Sequence, residues 1–245
     1  MEEKRGAVPA YRRVLVKLSG EALAGDAGTG LDFPTMHQVA KVLKQISDLG
    51  VAVGIVVGGG NFWRGVKNGS GKMERSRADQ MGMLATVMNS IAMSEVLAQE
   101  GAEARVMSAL PMEAFAETYN YLKAEQYFTD GKIVLFAAGT GHPYFSTDTG
   151  AVLRAAQMHA DAILLAKNVD GVYSADPRKD PAAVRYDAIS YEEVLAKRLA
   201  VMDSTATSIA MDNRIPVRVF ALKEPENILR AVMGEPLGTL VYSAD

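Results

Sequence analysis

Val53-Gly54-Ile55-Val56-Val57 is an apolar, β-branched run that stops at Gly58-Gly59-Gly60, with Arg64 four residues further on. It reads as a buried strand feeding a loop that has no side chains over three positions. Glycine reaches φ > 0 without steric cost and admits a ligand to the backbone. Three successive free N–H groups can form an anion-binding concavity. Arg64 is always charged and suits a phosphate held through two donors. The competing reading is a plain glycine turn beside a surface arginine, because short glycine patterns are weak signals. Two more strand ends carry residues of the same kind. Arg12 to Leu18 reads as a strand ending in Lys17-Leu18-Ser19-Gly20. That lysine either aims its ammonium at a ligand or sits on the surface. Lys132 to Ala137 reads as a strand running into Gly139-Thr140-Gly141-His142-Pro143-Tyr144-Phe145-Ser146-Thr147-Asp148, a turn rich in glycine and hydroxyls. Asp79, near the start of a long helix, either faces the glycine loop or only complements the helix dipole.

Bringing these ends together takes a sheet. Further apolar runs predict strands over Ala104–Met107, Asp161–Ala166, Pro216–Phe220 and Thr239–Tyr242. Helical spacing and stop signals predict helices over Pro34–Leu49, Met73–Glu100, Met112–Phe128, a stretch ending near His159, Tyr191–Arg198, Ser204–Asn213 and Pro225–Met233. Gly25 to Gly30 reads as a flexible loop, Lys67 to Lys72 as a mobile one, and Asp170-Gly171 as a tight turn. The long helix shows Met81, Leu84, Ala85, Met88, Ile91, Ala92 and Leu97 as a wide apolar face. Met81, Met83, Met88 and Met93 read as core or subunit contact. Helices alternate with continuous apolar strands throughout. The expected fold is therefore α/β, a three-layer α/β/α sandwich with a mainly parallel central sheet. Ligands of such sheets bind at the carboxyl ends of the strands. Those ends carry Lys17-Ser19-Gly20, the Gly58 triplet and Gly139-Thr140-Gly141, which favours one composite phosphate site. Residues 1–10 read as a flexible arm and 11–245 as a single domain.

Composition narrows the field. A net charge of −3 gives no footprint for nucleic acid or a membrane surface. The chain has no cysteine, so disulfides and thiolate chemistry are excluded. His37, His142 and His159 are widely spaced, which speaks against a His-rich metal site. No uninterrupted apolar run approaches the ~18 residues of a membrane span, and the expected location is cytoplasmic.

With these motifs laid out, the sequence resembles the bacterial UMP kinases (uridylate kinases) of the amino-acid-kinase fold. The likeness runs from about Arg12 to Val241. It is carried by Lys17-Leu18-Ser19-Gly20-Glu21-Ala22-Leu23, Gly58-Gly59-Gly60-Asn61 with Arg64, Asp79-Gln80-Met81-Gly82-Met83-Leu84-Ala85-Thr86, Gly139-Thr140-Gly141, Thr147-Asp148, Val169-Asp170-Gly171-Val172-Tyr173 with Asp176-Pro177, Arg218-Val219-Phe220 and Met233-Gly234-Glu235. The resemblance implies phosphoryl transfer from ATP with Mg²⁺ to UMP, in line and without a covalent intermediate. No Walker-type phosphate loop is present. By the same resemblance Lys17, Arg64 and Asp148 are catalytic. Lys17, Leu18, Ser19, Gly20, Gly60, Arg64, Asn168, Tyr173 and Asp176 bind ATP, with the part from about 160 to 245 holding most of that site. Gly59, Asp79, Thr140, Gly141, His142, Pro143, Tyr144, Phe145, Ser146 and Thr147 bind UMP. Asp148 orients Lys17 by ion pairing or serves as a helix N-cap. The implied partners are UTP as feedback inhibitor, GTP as activator, and further copies of the chain in a hexamer.

Three positions depart from the family pattern. Lys167 stands where relatives carry Asn or Thr three residues before the Asp-Gly turn, so either Asn168 or Lys167 serves the adenine side. His142 replaces an Asn between Gly141 and Pro143. Ser94 occupies a position where GTP-activated members carry Arg, although Arg105 matches a GTP-contacting one. The competing functions are a sibling small-molecule kinase and an ATP-binding storage protein on this fold.

Overall fold

A computed structural model describes residues 8–63 and 73–244. Strand β1 (Arg13–Leu18) lies between β2 (Ala52–Val57) and β6 (Ala162–Lys167), parallel to both. Each is apolar on both faces because helices cover both. Val14, Val16 and Leu18 enter one core, and Leu15, with Lys17 two residues on, points to the other. The remaining strands are β3 (Ala104–Ser108), β4 (Glu117–Thr118), β5 (Ile133–Ala137), the pair β7 (Val172–Tyr173) and β8 (Arg185–Tyr186), β9 (Ala188–Ser190), β10 (Val217–Ala221) and β11 (Thr239–Tyr242). Among the described residues nine strands form one sheet in the order β4-β3-β5-β2-β1-β6-β10-β11-β9. Only the β10–β11 pairing within it is antiparallel. Strands β7 and β8 form a separate antiparallel pair.

Helix α1 (Phe33–Asp48) and the C-terminal half of α2 (Arg75–Gln99) cover one face together with α7 (Glu226–Val232). Helices α3 (Tyr121–Thr129), α4 (Thr147–Gln157), α5 (Tyr191–Ala196) and α6 (Ser204–Asp212) cover the other. The three-layer α/β/α sandwich is the architecture expected from the sequence.

Local expectations needed correction in three places. Met112 to Phe128 is not mostly helical. An isolated bridge joins Met112 and Ala116, β4 follows, and α3 starts only where the Asn120 side chain accepts the Lys123 N–H. Gly25 to Gly30 is not a free loop. A 3-10 helix spans Ala22–Ala27, and the Gly30 N–H and Thr29 hydroxyl both donate to the Asn61 carbonyl. Helix α2 buries a different side from the one its apolar period suggested. Met83, Ala85, Thr86, Val87, Asn89, Ser90 and Met93 are buried, whereas Met81, Leu84, Met88 and Ile91 are 39%, 51%, 51% and 40% exposed. By length and hydropathy α2 is apolar enough to cross a bilayer, a property that polar interruptions hide from a search for unbroken runs. Half of its most apolar window is buried within the fold. Its inward polar residues bond to strand ends, as a core helix requires. Residues 1–7 of the expected arm lie outside the described residues, as does all of Lys67 to Lys72. The Ala10 N–H donates to the Val232 carbonyl.

Candidate active site

The carboxyl ends of β5, β2, β1 and β6 are neighbours in the sheet, so the three glycine-rich ends meet. They open into a cleft of about 770 Å³. Lys17, Ser19, Gly20, the Gly58 triplet and Thr140 line it, and so do the first turns of α4 and α6. The Gly58 N–H is spent on the Leu18 carbonyl, so the triplet offers two backbone donors and not three. None of the three glycines has positive φ. At Gly59 the reason for glycine is close approach. A Cβ there would sit 2.8 Å from the Gly82 carbonyl oxygen and 2.9 Å from the Ala85 Cβ, so α2 rests on the bare backbone.

The electrostatic centre is Lys17. Its Nζ lies 2.8 Å from Asp148 Oδ1, with side-chain exposures of 11% and 17%. The pair sits at ion-pair distance but without hydrogen-bond alignment, which leaves Oδ1 with no aligned donor among the described residues. Lys167 Nζ lies 3.9 Å from Asp148 Oδ2 and is 22% exposed. Burial works to raise the Asp148 carboxyl, but the ammoniums of Lys17 and Lys167 overcome it and hold the group below the usual carboxylate range. Asp148 is not the N-cap of α4. Ser146 is, its hydroxyl oxygen accepting the Thr149 N–H. The Ser146 hydroxyl also bonds to Asp203, which caps α6 in turn, and the Thr149 hydroxyl donates to Asp203 at 3.0 Å. The N-termini of α4 and α6 are thereby joined through one carboxylate. Both face the cleft, where their dipoles favour negative charge.

Helix α2 fixes the loop after β5. Ala138 and Tyr144 have φ of 62° and 71°, a region that non-glycine residues occupy at a cost of about 1–3 kcal/mol. Each has its N–H taken by a side chain of α2. Thr86 Oγ1 accepts from Ala138 at 2.9 Å, and Asp79 Oδ2 accepts from Tyr144 at 2.9 Å. Asp79 also pairs with Arg75, whose guanidinium lies over the Tyr144 ring. One helical turn beyond Thr86, Asn89 exchanges amide hydrogen bonds with Asn61 and donates to the Gly58 carbonyl.

The cleft thus gathers Lys17, Ser19, Gly20, Gly59, Gly60, Asp79, Thr140, His142, Tyr144, Phe145, Ser146, Thr147 and Asp148, all of them residues the sequence pointed to. Gly141 and Pro143 lie on the same loop without lining it, and the Leu18 side chain is buried in the core. Asn168, Tyr173 and Asp176 do not line this cleft. The Tyr173 hydroxyl donates to Asp170, and Asp176 accepts from the Arg178 N–H. Arg64 lies outside the described residues. Trp63, Arg75, Gly82 and Met83 also line the cleft, and nothing in their local sequence marks them as site residues. Asp203, Ser204 and Thr205 line it as well, and their one local signal is that Asp-Ser-Thr ahead of an apolar-periodic run marks a helix start.

The profile of the amino acid kinase family matches residues 12–221. The fold is similar to that of the UMP kinase of Bacillus anthracis, with a TM-score of 0.91 and 39% identity over 96% of this chain and 97% of that one. The Ureaplasma parvum UMP kinase gives a TM-score of 0.89 and 34% identity over 95% of this chain and 99% of that one. The uridylate kinase of Archaeoglobus fulgidus gives 0.72 and 28% over 93% and 99%. With the family profile spanning most of the chain and the strand-end cleft in the corresponding fold, the protein belongs to the amino acid kinase family.

Proposed function

We infer that the protein is a UMP kinase, transferring the terminal phosphoryl group of ATP to a phosphate oxygen of UMP to give UDP and ADP. The observation that carries this reading is the Lys17–Asp148 pair in a strand-end cleft, in a chain matching UMP kinases along nearly its whole length. In the transfer an O–P bond forms to UMP as the bridging bond to ADP breaks. The chain supplies position and charge, with no covalent nucleophile. Lys17 meets the charge spread over the transferring group. Ser19, Gly20 and Gly60 hold the ATP phosphates, and the first turns of α4 and α6 add their backbone dipoles. Gly59, Asp79 and the loop from Thr140 to Thr147 take UMP. Asp79 accepts a ribose hydroxyl through Oδ1, since Oδ2 already serves Arg75 and Tyr144. Arg64 is assigned to phosphate, and Asn168, Tyr173 and Asp176 to the adenosine side, on resemblance alone.

Mg²⁺ belongs to this reading as the companion of ATP, where it neutralises phosphate charge. No cluster of three His, Asp or Glu residues suits a metal among the described residues. Asp148 is flanked by lysines, and Asp203 is spent on hydroxyls and the Ala206 N–H. These residues suit a metal carried by the nucleotide and not one held in a carboxylate cage.

UTP as an occupant of the UMP pocket is the regulator this reading favours. GTP finds Arg105, stacked on Tyr127, but only a serine at position 94, whose hydroxyl donates to the Ile91 carbonyl. The exposed α2 stripe supports assembly with further copies, a hexamer by resemblance. The test is coupled ADP release with UMP, CMP, AMP and carboxylate acceptors, with UDP identified as product. UMP should be preferred by a wide margin. Equal turnover of CMP, or ADP release without UDP, overturns the reading.

A further inference from the structure

Lys167 is the last residue of β6 and has no part in the mechanism above. On the pleat it shares the side of Leu165, as Lys17 shares that of Leu15, and Leu15 and Leu165 belong to the same core. Both ammoniums therefore emerge at the carboxyl ends of adjacent strands, on the side covered by α4 and α6. Asp148 lies over both, Oδ1 toward Lys17 and Oδ2 toward Lys167. Lys167 Nζ also donates to the Val201 carbonyl, two residues before the Asp203 cap of α6. One ammonium thus bonds to the segment ahead of α6 and lies at ion-pair distance from the first turn of α4.

We propose that Lys167 is a positioning residue for phosphoryl transfer, holding Asp148 from the side opposite Lys17 and fastening the start of α6 to the end of β6. The proposal rests on the kinase reading. Its logic is that Lys17 must turn toward a phosphate during reaction. A carboxylate held by Lys17 alone can follow it, whereas one held at its second oxygen stays and keeps Lys17 aimed. The groups facing Lys167 are Asp148 from α4, Lys17 from β1 and Asp203 ahead of α6. Burial draws the Lys167 ammonium below the usual lysine range. Asp148 opposes this, Lys17 adds to it, and Asp203 opposes it. Deprotonation on the alkaline side removes the ion pair with Asp148 and leaves only a neutral, weaker hydrogen bond to the Val201 carbonyl.

The test measures kcat and KM of the wild type, Lys167→Met and Lys167→Arg from about pH 6 to about pH 10, so that the alkaline limb is included. Lys167→Met is expected to lower kcat on the order of tenfold to a hundredfold with KM for UMP within about twofold, the pattern of lost alignment. Lys167→Arg is expected to keep most of kcat and move the alkaline fall of kcat to higher pH, because the guanidinium stays charged. Wild-type kcat and pH profile in Lys167→Met overturn the proposal. Where the methionine variant does not fold, an unmoved alkaline limb in Lys167→Arg overturns it equally. A wild type that makes no UDP instead brings down the kinase reading and the proposal with it. Normal wild-type turnover with an unaffected Lys167→Met sinks the proposal alone.

Discussion

Asp148→Asn removes one negative charge from between two ammoniums and changes the shape of the side chain very little. The charges it leaves behind lie 2.8 Å and 3.9 Å away. At an effective dielectric of about 20, those separations correspond to attractions of about 6 and about 4 kcal/mol. Most of this is offset, because burying a carboxylate costs several kcal/mol that the amide does not pay. The net loss should be about 3–5 kcal/mol, the range for removing one partner of a buried pair. For a chain of this length that is a fall in Tm of roughly 6–20 °C. The pH dependence gives the diagnostic. Although burial opposes it, the two lysines hold the folded-state pKa of Asp148 below its unfolded value of about 3.9. A depressed carboxylate contributes its stability in full above the unfolded pKa and loses it as pH falls through the folded one. The gap between wild type and variant should therefore hold from about pH 8 to about pH 5 and narrow progressively below about pH 4, by at most about 1.4 kcal/mol per pH unit. Thermal melts of both proteins without nucleotide, at one protein concentration and across that range, read this directly. A variant as stable as the wild type at pH 7, or a gap that does not narrow at low pH, refutes the reasoning.

Lys17→Ala should lower kcat far more than it raises KM for UMP, the signature of an interaction made chiefly in the transition state; an unchanged kcat in steady-state assays returns Lys17 to an ordinary surface role. Gly59→Ala forces its Cβ against the Gly82 carbonyl and Ala85, and should cost about 1–3 kcal/mol in thermal melts with a raised KM for UMP, since α2 must move. A Tm and KM equal to wild type would mean that α2 gives way freely there. Leu84→Lys on the exposed stripe should reduce the assembly size seen by light scattering, and a wild type that already scatters as a 26.3 kDa monomer removes the case for assembly.

Much of the sheet was legible because its grammar is local. β1, β2, β5 and β6 are apolar runs with lysine or glycine at their ends or within two residues of them, and a parallel sheet lines such ends up whatever lies between them. The parts that stayed hidden depend on distant partners. Asp203 enters the cleft because α6 packs beside α4, bringing it to a threonine 54 residues earlier in the chain. Nothing in its neighbourhood announces more than a helix cap. The stretch from Met112 was misread because its alanine and aromatic spacing is compatible with helix, while pairing of Glu117–Thr118 with β3 decides otherwise.

Helix α2 shows why apolar period alone could not choose a buried side. Its inward face has to hold two left-handed residues of the loop after β5 and the carbonyl that opens the glycine triplet. That work needs Asp79, Thr86 and Asn89, so the inward face is part polar. A helix with polar residues committed inward, yet apolar over most of its length, has apolar side chains left over, and Met81, Leu84, Met88 and Ile91 are those. The same helix therefore presses on the acceptor loop with one side and offers an apolar surface with the other. Anything seated on that surface would bear on the element that sets Asp79 and Thr86, about one to two turns along the same rigid rod.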